Sequence, residues 1–298
     1  MFFKNEILQT GTTRTIAIYG KGGIGKSTTT VNLAAAASKL GLHTMVVGCD
    51  PKADSIHALV KEEGEIQTVL DTIRKRGSSL EAIKSCIYTG FNNIACVESG
   101  GPAPGVGCAG KGVAVALESL KENKLFDKTL SLILFDVLGD VVCGGFAQPM
   151  RSNFAKEVCI VTSGEYLSIY QAVNIASSIS NMAKDGIDVR MSGLICNKRN
   201  VLAEEEIISY LSELIEVPII GYIPRMKQIQ EAESMGKTVV EAFPDSDAAQ
   251  VYNDLAAKVY NNKRFVIPKV DNRMVILEKI KEFIRGMTRD ESFEKVLC

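Results

Sequence analysis

Residues 20–27 read Gly-Lys-Gly-Gly-Ile-Gly-Lys-Ser, between an apolar run, Thr15–Tyr19, and a helical run, Ser27–Lys39. A strand–loop–helix setting is what makes such a glycine-rich string a phosphate-binding loop. Gly22, Gly23 and Gly25 let the backbone curl so that successive N–H groups point at phosphate oxygens. The positive end of the following helix, with Thr28 in its first turn, adds to the attraction. Lys26 is placed to reach the β- and γ-phosphates, and Ser27 to ligate Mg²⁺. The expected ligand is MgATP, with MgADP as its product.

Carboxylates follow at strand ends. Asp136 closes the apolar run Ser131–Phe135, the usual place for a carboxylate that holds Mg²⁺ directly or through water. Asp136-Val-Leu-Gly139 has the shape of a nucleotide switch, in which the Gly139 N–H bonds a γ-phosphate and releases it after hydrolysis. Asp140 is then positioned to orient the attacking water. Asp50 and Asp54, in Cys49-Asp50-Pro51-Lys52-Ala53-Asp54-Ser55, are alternatives for that role. The competing reading of all these aspartates is helix capping or a turn.

Two cysteines sit in glycine-rich surroundings: Cys108 in Pro-Gly-Val-Gly-Cys-Ala-Gly and Cys143 in Asp-Val-Val-Cys-Gly-Gly. Flanking glycines let the backbone approach a sulfur and donate N–H groups to it, which tunes the potential of an iron–sulfur cluster. A [4Fe-4S] cluster needs four thiolates, and a symmetric dimer supplies two from each chain. The plain alternative is two buried small residues. Cys143 lies three residues after Asp140, so a switch that senses the γ-phosphate would move one cluster ligand almost directly. Cys49, Cys96, Cys159 and Cys196 lie in or at the ends of strands and read as core; Cys86 reads as helix-end packing. No C-x-x-C pair occurs, which argues against a self-contained zinc or ferredoxin-type site.

The elements that must position these residues alternate. Strands are expected at Thr15–Tyr19, Thr44–Gly48, Ile94–Val97, Ser131–Phe135, Val158–Thr162, Met191–Cys196 and Ile219–Ile223. Helices are expected at Ser27–Lys39, Leu80–Cys86, Val113–Glu122, Ser168–Ala183, Ala203–Leu214 and Asp247–Asn261. The pattern predicts an α/β fold, a mostly parallel sheet with helices on both faces and ligands at the carboxyl ends of the strands. With 298 residues and no linker-like stretch, residues 1–298 read as a single domain. A net charge of −1 offers no basic field for nucleic acid. The longest apolar runs are too short to span a bilayer, and the N-terminus lacks the basic flank and long apolar core of a signal peptide. A cytoplasmic protein is expected. Val275–Met287 has apolar residues at helical spacing; packing on the protein is the favoured reading over an in-plane membrane helix.

Taken together, YGKGGIGKSTTT, GCDPKADS, VESGGPAPGVGCAG and FDVLGDVVCGGFA resemble the nitrogenase iron protein (dinitrogenase reductase) family. The resemblance runs over nearly the whole chain, through Asn197 and Ile223-Pro224-Arg225. It implies a P-loop NTPase fold and a homodimer bridged by one [4Fe-4S] cluster. It further implies that single electrons pass to a larger heteromeric catalytic component, coupled to MgATP hydrolysis, with ferredoxin or flavodoxin as upstream donor. By motif match, Lys21, Lys26 and Ser27 are nucleotide residues, with Lys21 reaching the partner subunit's nucleotide. Asp50, Lys52 and Asp54 match a first switch, and Asp136, Gly139 and Asp140 a second. Cys108 and Cys143 match the cluster ligands. Asn197 falls where the family contacts adenine, and Gln230 and Glu233 match further base or ribose contacts.

Surface positions depart from the family pattern. Ile56 replaces Thr, Lys111 replaces the Arg three residues after the first cluster cysteine, and Gln148 stands where Met is common. Met226-Lys227 replaces Asp-Asn, and Lys61–Asn93 diverges. The same engine serving another client, in tetrapyrrole reduction or carbon–sulfur cleavage, is the alternative these departures leave. A non-redox partitioning-type ATPase switch, which would need no cluster, is the remote one.

Overall fold

The computed structural model describes residues 13–61, 64–101, 109–126, 129–137, 139, 148–151 and 154–289. In chain order the elements are β1 (Arg14–Tyr19), α1 (Lys26–Lys39), β2 (Thr44–Gly48), α2 (Val69–Arg76), α3 (Leu80–Lys84), β3 (Tyr88–Thr89), β4 (Ala95–Glu98), α4 (Ala109–Glu122) and β5 (Leu132–Asp136). They continue with α5 (Gln148–Arg151), β6 (Glu157–Thr162), α6 (Tyr166–Lys184), β7 (Arg190–Asn197), α7 (Glu204–Ile215), β8 (Ile219–Ile223), α8 (Lys227–Ser234), α9 (Val239–Ala242), α10 (Asp247–Asn261) and α11 (Arg273–Arg289).

The strands form one sheet in the order β3-β4-β2-β5-β1-β6-β7-β8, parallel throughout except for the β3–β4 pair. All seven expected strands are present. Two-residue β3 escaped the sequence reading because it is too short to show a periodicity, and it caps one edge of the sheet.

Because successive side chains in a strand face opposite ways, each central strand feeds two cores. Ala17 and Tyr19 of β1 join the core shared with α4, α6, α7 and α11, while Ile16 and Ile18 join the core under α1 and α10. This is the doubly covered sheet that the alternation implies. At the amino ends of the strands, Arg14 pairs with Glu157 and donates to the Val259 carbonyl at 2.6 Å, tying α10 to the sheet.

The Val275–Met287 stretch lies within α11, which packs on α6 and α7. Leu277 and Ile280 are buried and Phe283 stacks on Tyr210 at 4.4 Å, so its apolar stripe is used within the protein. Among the described residues no helix is long and apolar enough to cross a membrane.

Candidate functional site

The loop after β1 turns into α1 through Gly25, whose φ of 93° lies in the left-handed region open to glycine. A side chain there is also excluded: a Cβ would lie 2.5 Å from Asn197 Nδ2. Asn197, the last residue of β7, donates to the Ile24 carbonyl at 2.7 Å, and Arg199 donates to the Gly23 carbonyl at 2.7 Å. The phosphate loop is therefore braced from the neighbouring strand end. Lys26 is buried at the start of α1.

A cavity of about 380 Å³ opens beside this loop. Gly23, Gly25, Lys26, Ser27, Thr28, Asn197, Gln230 and Glu233 all line it, so the expected phosphate, base and ribose residues converge on one site. Thr28 donates to Glu233 at 3.3 Å. Met226, Ile229 and the buried Tyr252 complete an apolar wall that the sequence reading did not include. A phosphate-binding end joined to an amide-and-apolar end suits a nucleoside triphosphate. A neighbouring cavity of about 150 Å³ brings Asp54 together with Ser27 and Thr28.

Asp136 is buried at the end of β5, with the Thr30 hydroxyl 3.5 Å away. Burial pushes its carboxyl above the ordinary aspartate range, while the Ser27 hydroxyl and the Lys26 ammonium pull it back. A Mg²⁺ ion held by Ser27 would reinforce the ionised form. Gly139 presses on the phosphate loop so closely that a Cβ would lie 2.1 Å from the Gly20 carbonyl oxygen. Its own carbonyl accepts from Gln171 at 2.5 Å, a contact from α6 that no motif announces.

Lys21, Asp50 and Lys52 line neither cavity. Lys21 is half-buried, and its carbonyl accepts from the Ile24 N–H at 3.2 Å. Asp50 makes a turn, its carboxylate accepting from the Lys52 N–H at 3.0 Å. Gly22 is exposed at the loop tip. Asp140, Cys108 and Cys143 lie outside the described residues.

The described cysteines do not compete for a metal. Cys49, Cys86, Cys96, Cys159 and Cys196 are all buried. Burial pushes the Cys96, Cys159 and Cys196 thiols up to about 12, and Cys49 and Cys86 upward too. The thiolate is the metal-binding form, so these five are held as core thiols. The segments that carry Cys108 and Cys143 follow β4 and β5, which flank β2 in the sheet. Both start from the carboxyl ends of their strands, the end at which the phosphate loop sits.

The departures also find places. Ile56 is not the surface position expected: it is fully buried in the core under α1, where a threonine hydroxyl would need a partner. Lys111 is exposed on the first turn of α4. Met226 caps α8 without a side-chain bond, and Lys227 pairs with Glu231 at 2.7 Å. Gln148 begins α5.

The family model for 4Fe-4S iron sulfur cluster binding proteins, NifH/frxC family, matches residues 14–284. The chain belongs to this family. Among NifH/frxC relatives, the nitrogenase iron protein of Methanospirillum hungatei JF-1 is 48% identical over 255 residues, 85% of this chain and 90% of that protein. Nitrogenase iron protein 2 of Rhodobacter capsulatus is 47% identical, over 86% of this chain and 93% of that protein. Among solved structures, the septum site-determining protein MinD complexed with Mg-ADP, from Pyrococcus horikoshii OT3, superposes with a TM-score of 0.63 at 22% identity. That match covers 83% of this chain and 96% of the MinD chain. A ParA family ATPase from Chlorobium tepidum TLS gives 0.63 at 19% identity, over 82% and 98%. These structures share the fold of this NifH/frxC-family chain; the family match separates it from them in function.

Proposed function

We propose that this chain is the ATP-dependent reductase component of a two-component system, passing single electrons from a [4Fe-4S] cluster to a larger catalytic partner as MgATP is hydrolysed. The observation that carries the reading is the convergence at one end of the sheet. A braced phosphate loop and nucleotide-sized cavity sit where the Cys108 and Cys143 segments begin. The cluster, when bound, supplies the one-electron chemistry. The chain's own residues do the rest.

Lys26 and the loop N–H groups hold the phosphates, and Ser27 with Asp136 holds Mg²⁺. Asp50, Asp54 or Asp140 orients the attacking water, with Lys52 in the first switch. Gly139 links the phosphate loop to the segment that ends at Cys143. Asn197, Gln230 and Glu233 hold the nucleoside. In a dimer, Lys21 of one copy would reach the nucleotide of the other, and Cys108 and Cys143 of both copies would supply the four thiolates that hold the cluster. The protein acts in the cytoplasm as one unit, receives electrons from ferredoxin or flavodoxin, and needs neither nucleic acid nor membrane.

The test is iron content and electron paramagnetic resonance of anaerobically purified, dithionite-reduced protein, with and without MgATP. About four irons per dimer are expected, with a signal that MgATP alters. Cys108→Ser and Cys143→Ser should each lose the iron while keeping nucleotide binding. Wild-type protein that takes up no iron under anaerobic reconstitution would sink the reading.

A further inference from the structure

Glu98 is a carboxylic acid with 0% exposure at the end of β4. Glu98, Gly48 and Asp136 stand in one row across β4, β2 and β5. Gly48 has no side chain, and the Glu98 carboxyl fills that place: a Cβ on Gly48 would lie 1.8 Å from Oε2. Oε1 accepts the Ile56 N–H at 2.9 Å. Oε2 has no hydrogen-bond partner among the described residues. Asp136 and Asp54 are the charges that face it. An apolar side chain would fill this space without desolvating a carboxyl, so the sheet alone does not call for one. What the carboxyl does is hold the backbone of the Asp50–Ile56 segment.

The residues after Glu98 are gripped from two sides. The Ser99 N–H donates to the Gly48 carbonyl at 2.8 Å, and the Leu70 N–H donates to the Ser99 carbonyl at 3.1 Å. Arg74 donates to the Gly101 carbonyl at 3.0 Å. Gly101 lies against Pro51 so closely that a Cβ there would sit 2.5 Å from Pro51 Cβ. The Asp50–Ile56 segment therefore meets the run toward Cys108 at two points, Ile56 on Glu98 and Pro51 on Gly101.

We infer that Glu98 is a positioning residue that ties the Asp50–Ile56 segment to the segment leading to Cys108, so that nucleotide-driven movement of the first is passed to the second. The second switch reaches Cys143 along the chain itself; this contact gives the first switch its own route to Cys108. What the movement does to a cluster rests on the proposed function, but the movement can be read without iron.

The experiment is hydrogen exchange by mass spectrometry on the full chain under anaerobic conditions, with and without MgATP. Peptides covering 50–60 and 99–112 are followed, and iron is measured on the same samples. In the wild type both peptides should respond to MgATP. Glu98→Leu fills the space without an acceptor; 50–60 should still respond, while the response of 99–112 falls at least about fivefold, the low end of a typical coupling between sites. Glu98→Gln keeps the acceptor and should restore it. Gly101→Ala, which forces Pro51 away and leaves Glu98 intact, should reproduce the loss. The inference is overturned if 99–112 ignores MgATP in the wild type, or responds equally in Glu98→Leu and Gly101→Ala. Coupled exchange in iron-free protein would sink the proposed function and leave the inference standing; iron without coupled exchange would do the reverse.

Discussion

At the scale of single residues, Glu98 makes the sharpest claim on solution behaviour. Burial, opposed by the Ile56 backbone N–H and reinforced by the Asp136 charge, raises its carboxyl to about 8 from an ordinary value near 4.5. The folded protein thus prefers the protonated form. Below about pH 4.5 both folded and unfolded chains carry the proton and the full stabilisation is present. As pH rises toward 8 the unfolded chain ionises first and gains, so stability falls across that window and levels off above it. A shift of this size corresponds to a loss on the order of 5 kcal/mol. Glu98→Gln cannot ionise and should remove that part of the slope, making the variant more stable than the wild type at pH 8. Urea denaturation from pH 5 to pH 8.5 checks it. Parallel pH profiles for the two proteins would mean that Glu98 is already ionised in the fold.

At the scale of elements, legibility followed apolar content. Thr44–Gly48 and Ile219–Ile223 are strands with the bounds expected from their β-branched runs. Lys26, Ser27, Asn197, Gln230 and Glu233 meet at one cavity, as motif and resemblance imply. What stayed hidden depends on contacts distant in sequence. The α2 helix reads VLDTIRKR, an amphipathic stretch of only eight residues, too short to be read from its period, and is fixed by its Thr68 cap and by its grip on Ser99 and Gly101. Gln171 reaches Gly139 from α6, Arg199 reaches the phosphate loop from beyond β7, and nothing local marks either of them. The α11 helix shows the same point from the other side. Its amphipathic pattern is plain in sequence, while its partner is set by the fold. With Ile280 fully buried in that contact, Ile280→Ala should lower the unfolding free energy by about 2–4 kcal/mol, as for other large-to-small core changes. Equilibrium denaturation measures this, and a change under about 0.5 kcal/mol would show that the helix is not docked in solution.

At the scale of the whole molecule, the question is whether one chain completes its own site. Lys26 is buried against the cavity, whereas Lys21 lines neither cavity of its own subunit. If Lys21 serves the partner's nucleotide, the two lysines of one chain belong to two different sites, and variants of each should complement. Lys21→Gln and Lys26→Gln should each hydrolyse MgATP poorly as homodimers. In a mixed dimer the Lys21→Gln chain keeps its own Lys26 and receives Lys21 from its neighbour, so one site is intact and the other lacks both lysines. Purified through both tags, every dimer is mixed and carries one working site of two, so about half of the wild-type hydrolysis per dimer should return. If both lysines act within their own subunit, every site in the mixed dimer lacks one of them and no activity returns. Co-expressing the two chains under different affinity tags and assaying the doubly purified dimer separates these outcomes. Recovery would establish that the assembly, and not the single chain, is the unit that hydrolyses ATP.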